Sequence, residues 1–243
     1  MRQSHLTMTG LLISGTDTDV GKTFVTIALA AYWRNYQLGR NNKQSLLTIF
    51  KLMQTGIGDV ETYQQIFAKT PEIEVHNPLR FAAPLAPPLA AAKEGKSIDL
   101  GQVWQDFNNA VQKSSLVIVE ALGGLGSPIT DELIVGNIAA DWKLPTVLVV
   151  PVKLGAIANI VANVTLAHSL KIDLKGIILS CSNEEDSNRI EDLTPTDLIQ
   201  SLTQVPVLGI LPHITDLTNQ IELREIVSNW DVELIFPQPT LSL

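Results

Sequence analysis

One cysteine, Cys181, occurs in 243 residues, so no disulfide can form within the chain, and a reducing compartment suits it. An excess of positive charge is also missing: 17 Lys and Arg stand against 25 Asp and Glu, a formal net charge of −8. That balance argues against a nucleic-acid partner, because phosphate backbones select basic surfaces. Every apolar run is interrupted by Pro, Lys or Gly before it is long enough to cross a bilayer. The first residues, Met1 to Thr9, are too polar for a signal peptide. The expectation is a cytoplasmic protein with no membrane contact. His5, His76, His168 and His213 show no metal-ligand spacing, and there is no Cys/His cluster, no Ser/His/Asp hydrolase pattern and no internal repeat. Asn163-Val164-Thr165 matches a glycosylation acceptor but falls in a helical pattern of a cytosolic chain.

What the chain does have is a 45% hydrophobic composition, enough core for a single domain over residues 1–243. Apolar runs recur at Leu11–Ser14, Ser45–Phe50, Leu116–Val119, Thr146–Val150, Gly176–Leu179 and Val207–Leu211. Most are nearly continuous, as parallel strands buried on both faces should be. Helical patterns lie between them at Thr23–Tyr36, Val60–Lys69, Val103–Lys113, Glu132–Ala140, Ala156–Leu170 and Asp197–Leu202, with a last helix from about Asn219 to Ser228. The alternation predicts an α/β fold, a doubly wound and mostly parallel sheet with helices on both faces. Ligands should then gather at the strand C-termini. Pro71–Leu100 breaks the rhythm with Pro78, Pro84, Pro87 and Pro88, and is expected to be an ordered surface excursion rather than sheet. Trp33, Trp104, Trp142 and Trp230 are scattered and read as core or interface fillers.

The chemistry is concentrated after the first strand. Gly15-Thr16-Asp17-Thr18-Asp19-Val20-Gly21-Lys22-Thr23 joins that strand to a helix, the context of a phosphate-binding loop. Glycines let successive N–H groups turn inward, and the helix N-terminus adds its positive dipole end. Lys22 would reach the outer phosphates, and the Thr23 hydroxyl would hold Mg²⁺. The loop is one residue longer than usual, with five residues between Gly15 and Gly21. Mg²⁺ also wants carboxylates. Asp59, after the second strand, and Glu120, at the end of the third, are the candidates. Glu120 precedes Gly123, Gly124 and Gly126, which permit close backbone approach to a ligand. Lys51 ends the second strand and Lys153 follows the fourth, so both ammonium groups are expected to project towards the phosphate loop.

With those residues in place the chain resembles the dethiobiotin synthetase family over most of its length. The phosphate loop is similar to that family's longer loop. Lys51-Leu52-Met53-Gln54-Thr55-Gly56 resembles its Lys-Pro-x-x-Ser/Thr-Gly stretch, with Leu52 in place of proline. Asn77-Pro78-Leu79-Arg80-Phe81 and the prolines after it resemble an Asn-Pro-x-x-Phe segment. Val119-Glu120-Ala121-Leu122-Gly123-Gly124 matches Val-Glu-Gly-Ala-Gly-Gly with two substitutions, and Val152-Lys153-Leu154-Gly155 matches without change. The resemblance implies an ATP- and Mg²⁺-dependent ligase of biotin biosynthesis that joins CO₂ to diaminopelargonate and closes a urea ring. It implies roles for Lys51 at the carbamate, Thr18 and Thr55 as hydroxyl partners, and Lys153 near substrate and phosphates. It further implies that the backbone at Gly155 and Ala156 binds a substrate carboxylate across a homodimer interface. Family members often carry Asn near the positions of Ala158 and Asn159. Adenine is read in the family by an Asn where this chain has Ser180, with Leu211 and Pro212 resembling the other wall of the base slot. Ser offers no amide fork, so relaxed base selection is expected.

Competing readings come from the same loop superfamily. A switch or partitioning ATPase would carry an extra lysine early in the loop, where Thr16, Asp17 and Thr18 stand. A cobyrinate-type amide ligase would need a glutamine-hydrolysing domain, for which 243 residues leave no room. A non-catalytic nucleotide-binding relative would suit the departures at Leu52, Ala121, Leu122 and Ser180.

Overall fold

The computed structural model describes residues 10–39 and 46–236. The polar opening segment with His5, and Ser45 at the head of the expected second strand, lie outside the described residues. In chain order the elements are β1 (Gly10–Gly15), α1 (Lys22–Gly39), β2 (Leu47–Lys51), β3 (Gln54–Thr55), α2 (Asp59–Ile66), β4 (Ile73–His76), β5 (Arg80–Phe81), α3 (Pro87–Lys93) and α4 (Leu100–Lys113). There follow β6 (Leu116–Gly124), α5 (Val135–Asp141), β7 (Thr146–Pro151), α6 (Ala156–Ser169), β8 (Leu174–Ser180), α7 (Glu184–Ser187), α8 (Ile190–Leu193), α9 (Thr196–Thr203), β9 (Val207–Leu211), α10 (Gln220–Ser228) and α11 (Val232–Ile235). Among the described residues no helix is long and apolar enough to cross a membrane.

Seven strands form one parallel sheet in the order β4-β2-β6-β1-β7-β8-β9. Strand alternation divides the core between the two faces. Leu11, Ile13, Leu47, Ile49, Leu116 and Ile118 face the layer built by α1, α2 and α10. Leu12, Phe50, Val117 and Val119 face α4 and α5, while Leu148 and Val150 face α6 and α9. That double burial is why these runs are apolar at most positions, and it bears out the doubly wound reading.

The excursion differs from its expectation. Ile73–His76 is a parallel edge strand on β2, and Arg80–Phe81 pairs with Gln54–Thr55 as a second, two-stranded sheet. An edge strand needs partners on one side only, so mixed polarity suffices: Ile73 is buried while Glu74 is exposed. Pro87 and Pro88 open α3, in the first turn where a missing N–H costs nothing. At the opposite edge, Trp230 lies across β9. A Cβ on Gly209 would come within 2.3 Å of the indole, Trp230 Nε1 donates to Ile210 O (3.0 Å), and Asp231 N donates to Leu208 O (2.8 Å).

Candidate active site

Three strand ends carry the site. β1 stops at Gly15, the loop turns through Asp19 (φ 53°) and Gly21 (φ 93°), and α1 starts at Lys22. Gly21 is forced twice, by its positive φ and by Ser180, whose Oγ would lie 2.2 Å from an added Cβ. Asp17 Oδ1 accepts from Thr18 N (2.7 Å), and Lys22 Nζ donates to Asp17 O (2.8 Å). Burial pushes the Lys22 pKa down, against the pull of the Glu120 carboxylate.

Next to the loop, β2 and β6 run side by side with Lys51 opposite Glu120 in register, so the two side chains leave one face together. Sequence reading ended the third strand at Glu120. The strand instead continues to Gly124, and Glu120 lies within it, pinned between Ile13 and Lys51. The carboxylate is fully buried and its two oxygens are treated differently. Oε1 accepts from Lys51 Nζ (2.6 Å) and Thr23 Oγ1 (3.3 Å). Oε2 accepts from Thr26 Oγ1 (3.0 Å) and from the Tyr63 hydroxyl. Asp59, the first residue of α2, accepts from Thr23 Oγ1 (2.7 Å) on Oδ1 and from Lys51 Nζ on Oδ2. Lys51 is 3% exposed. Burial works against its charge, but the Glu120 and Asp59 carboxylates outweigh burial and hold its pKa above the ordinary value. For Asp59 burial is likewise overcome, by Lys51, and its pKa is lowered. Burial and the Glu120 charge raise the Tyr63 pKa well above the ordinary phenol, so it remains a donor.

One hydroxyl and two carboxylates thus converge, with no soft ligand among them. Among the described residues no group of three His, Cys, Asp or Glu side chains could hold a metal. Thr23, Asp59 and Glu120 are instead the partial oxygen set that suits Mg²⁺, which keeps waters and phosphate oxygens for its remaining positions.

A cavity of about 550 Å³ opens over this cluster, and Thr18 to Thr23, Lys51, Thr55, Asp59, Ser180, Leu211 and Pro212 all line it. Thr16 and Asp17 line a second cavity of about 440 Å³, against Gly124, Gly126, Ser127 and Pro128 and the α6 residues Ala162, Asn163 and Leu166. Gly15 is buried beneath the loop. Lys153 departs from its expectation: it is exposed and lines neither cavity. β7 ends at Pro151, so Lys153 lies beyond the ladder whose alternation would aim it. Gly155 (φ 86°) caps α6, Ala156 is buried as its first residue, and Ala158 and Asn159 are exposed in its first turns. Ser180 faces Gly21, and the nearby amide of Asn183 is engaged elsewhere, its Oδ1 accepting from Asp186 N (3.0 Å) as the cap of α7.

Several residues that shape the site had no role assigned from the sequence, although Leu52, Gln54, Asn77 and Arg80 belong to the resembled stretches. Thr26 and Tyr63 each lie four residues after a site residue, Lys22 and Asp59, which puts them on the same helix faces. Asn77 Nδ2 donates to Lys51 O (2.9 Å), giving the Asn-Pro segment a role in holding the Lys51 backbone. Gln54 donates to Glu61 (2.9 Å) and accepts from Val60 N (2.8 Å). The Gly58 N–H, Gln54 and Arg80 hold the Glu61 carboxyl down to about 2. Leu52, where proline is usual in the resembled family, is buried and its N–H donates to Glu120 O (3.1 Å), a bond proline could not make.

Residues 9–221 match the family model described as an AAA domain. The ATP-dependent dethiobiotin synthetase of Gloeothece citriformis is 54% identical over 230 residues, 95% of this chain and 100% of that protein. That of Crocosphaera subtropica is 52% identical over 229 residues, 94% and 100% of the two chains. Among solved structures, the MinC:MinD cell division protein complex of Aquifex aeolicus superposes with a TM-score of 0.57 at 13% identity, covering 96% of this chain and 98% of that one. The last likeness speaks for the phosphate-loop NTPase fold alone. Identity above one half along nearly the full length of both chains speaks for more: this chain belongs to the ATP-dependent dethiobiotin synthetase family.

Proposed function

We propose that the protein makes dethiobiotin from 7,8-diaminopelargonate, CO₂ and ATP, as a Mg²⁺-dependent enzyme of the cytoplasm. One amine of the diamine attacks CO₂ and loses a proton, giving a carbamate. A carbamate oxygen attacks the γ-phosphorus of ATP and ADP leaves. The second amine then attacks the carbamoyl carbon, and the C–O bond to phosphate breaks as the five-membered urea closes. One oxygen of CO₂ departs in the phosphate.

The chain's own residues suit these steps, because phosphoryl transfer asks for positioning and charge neutralisation more than for a nucleophile. Lys22 is placed to leave the Asp17 carbonyl for the outer phosphates. Lys51 stabilises the carbamate and its phosphorylated form, with Thr18 and Thr55 as hydroxyl partners on the same cavity wall. Thr23, Asp59 and Glu120 would hold Mg²⁺, which supplies charge neutralisation between the phosphates. Ser180, Leu211 and Pro212 border the base slot.

The backbone at Gly155 and Ala156 is assigned to a substrate carboxylate bound across a homodimer, at the anion-favouring start of α6, and Lys153 adds positive charge near substrate and phosphates. Their position away from this chain's own cavities, beside an 88% exposed Leu154, supports that division between subunits.

The observation that carries the reading is the meeting of Lys22, Thr23, Lys51 and Asp59 on one cavity, with Glu120 buried behind them and bonded to Thr23 and Lys51, in a member of this family. The test is product analysis with purified protein and MgATP. Dethiobiotin should form, and ADP release should need both diamine and bicarbonate. ADP release indifferent to both would replace this reading with a switch ATPase.

A further inference from the structure

Glu120 is held by four donors from three elements, α1, α2 and β2, and they are sorted by oxygen. Tyr63 from α2 and Thr26 from α1 both donate to Oε2, whereas Thr23 and Lys51 both donate to Oε1. Tyr63 and Thr26 are themselves fully buried. Asp59 and Tyr63 are one helical turn apart, so the helix that brings one carboxylate to the site also brings the hydroxyl that fixes the other.

A glutamate left free can turn about its last torsion and offer a cation one oxygen or two. Here Oε2 has both lone-pair directions taken by hydroxyls buried away from the cavity, whereas Oε1 is held by Thr23 and Lys51, which line it, and so is the one oxygen on the cavity side. That difference matters to a metal. Mg²⁺ demands near-ideal octahedral geometry with short bonds and is bound through single carboxylate oxygens, whereas Ca²⁺ accepts higher coordination numbers and bidentate carboxylates. We propose that Tyr63, assisted by Thr26, is a positioning residue that restricts Glu120 to one oxygen and so makes the site select a small divalent cation over a large one. The proposal rests on the metal role given to Glu120 under the proposed function. It concerns selectivity among cations, which that role leaves open.

Tyr63→Phe keeps the ring in its buried place and deletes only the hydroxyl. The measurement is the thermal shift of the full chain at saturating ADP, titrated with MgCl₂ and separately with CaCl₂. The Mg²⁺ concentration at half-saturation should rise by about tenfold, the usual scale for removing a partner that orients a metal ligand. The Ca²⁺ value should move by less than about threefold, because a freed carboxylate can offer calcium its second oxygen. Thr26→Val should shift the same ratio in the same direction, and it serves as the test if Tyr63→Phe does not fold. In a Glu120→Gln background, Tyr63→Phe should leave the Mg²⁺ to Ca²⁺ ratio where it is. Equal weakening of both metals would show a merely structural tyrosine, and unchanged values for both, or no metal effect on the parent chain, would overturn the proposal outright. No diamine or bicarbonate is present, so failure to make dethiobiotin and failure of this clamp are read separately.

Discussion

Replacing Lys51 by Met removes the one ammonium that lies between Asp59 and Glu120 while keeping the length of its stem. Glu120 is fully buried and Lys51 nearly so, which makes this a broken buried pair with a charge left behind. Such losses run at about 3–5 kcal/mol. The lower end applies here, because Glu120 keeps its bonds from Thr23, Thr26 and Tyr63, and Asp59, 37% exposed, is screened by water. In a chain of this size about 3 kcal/mol corresponds to a Tm lower by about 6–12 °C. The deficit should appear in EDTA and shrink when MgCl₂ is added, since a divalent cation can answer the same two carboxylates.

The pH range of the effect is set by the shifted groups. Lys51, with a folded pKa above its ordinary 10.5, contributes in full below that value and loses its contribution only as the pH rises past the folded pKa. Asp59, with a folded pKa below its ordinary 3.8, contributes above that value and loses its contribution as the pH falls through the folded pKa. The gap between parent and variant should therefore stay flat from about pH 5 to pH 9 and narrow towards either extreme. Circular-dichroism melting curves across that range decide it. A variant in EDTA that melts within 2 °C of the parent, on the scale of about 2–4 °C per kcal/mol, would show that the bridge is not the support described here.

Lys22→Ala should leave the melting temperature nearly unchanged yet cost at least about 10²-fold in turnover, the scale for losing one preorganised charge; turnover within a few-fold of the parent would remove Lys22 from its phosphate role. Ser180 lacks an amide fork and faces Gly21, so discrimination for ATP over GTP and CTP should be weaker than in a Ser180→Asn variant by a factor of about 2–13, the value of one neutral hydrogen bond. A thousandfold preference for ATP in competition assays would mean that another group reads the base. Leu154→Asp, at an exposed position, should convert a dimer into monomers by light scattering and abolish turnover, with little change in the stability of each subunit. A variant that stays dimeric at full activity would place the interface elsewhere.

The parallel sheet was legible because both faces of each inner strand are covered, which leaves few positions for a polar residue and makes the runs conspicuous. The edge strand β4 was not, since half of it meets water and its pattern is that of any short loop. At the site, the phosphate loop could be read from local sequence, because strand, turn and helix start adjoin one another. Glu120 could be found as an acid in an apolar run, but its depth within β6 depends on the register with β1 and β2. The direction of Lys153 was not legible for a related reason: it follows β7 beyond Pro151, where no ladder fixes which way a side chain points. Tyr63, Thr26 and Asn77 act through contacts between residues 26 to 94 positions apart, and no window along the chain contains both partners.

The indole laid over β9 has a consequence for how the protein behaves in a crowded solution. The last strand of an open sheet offers unpaired carbonyls to any extended peptide, and another copy of the same sheet is the nearest match. Here the Leu208 and Ile210 carbonyls are taken by Asp231 N and the Trp230 indole, which also covers the Gly209 backbone. The segment after α10 thus acts as a guard against edge-to-edge aggregation. Trimming the chain before Trp230 should therefore cost solubility, because it bares the backbone of the β9 edge.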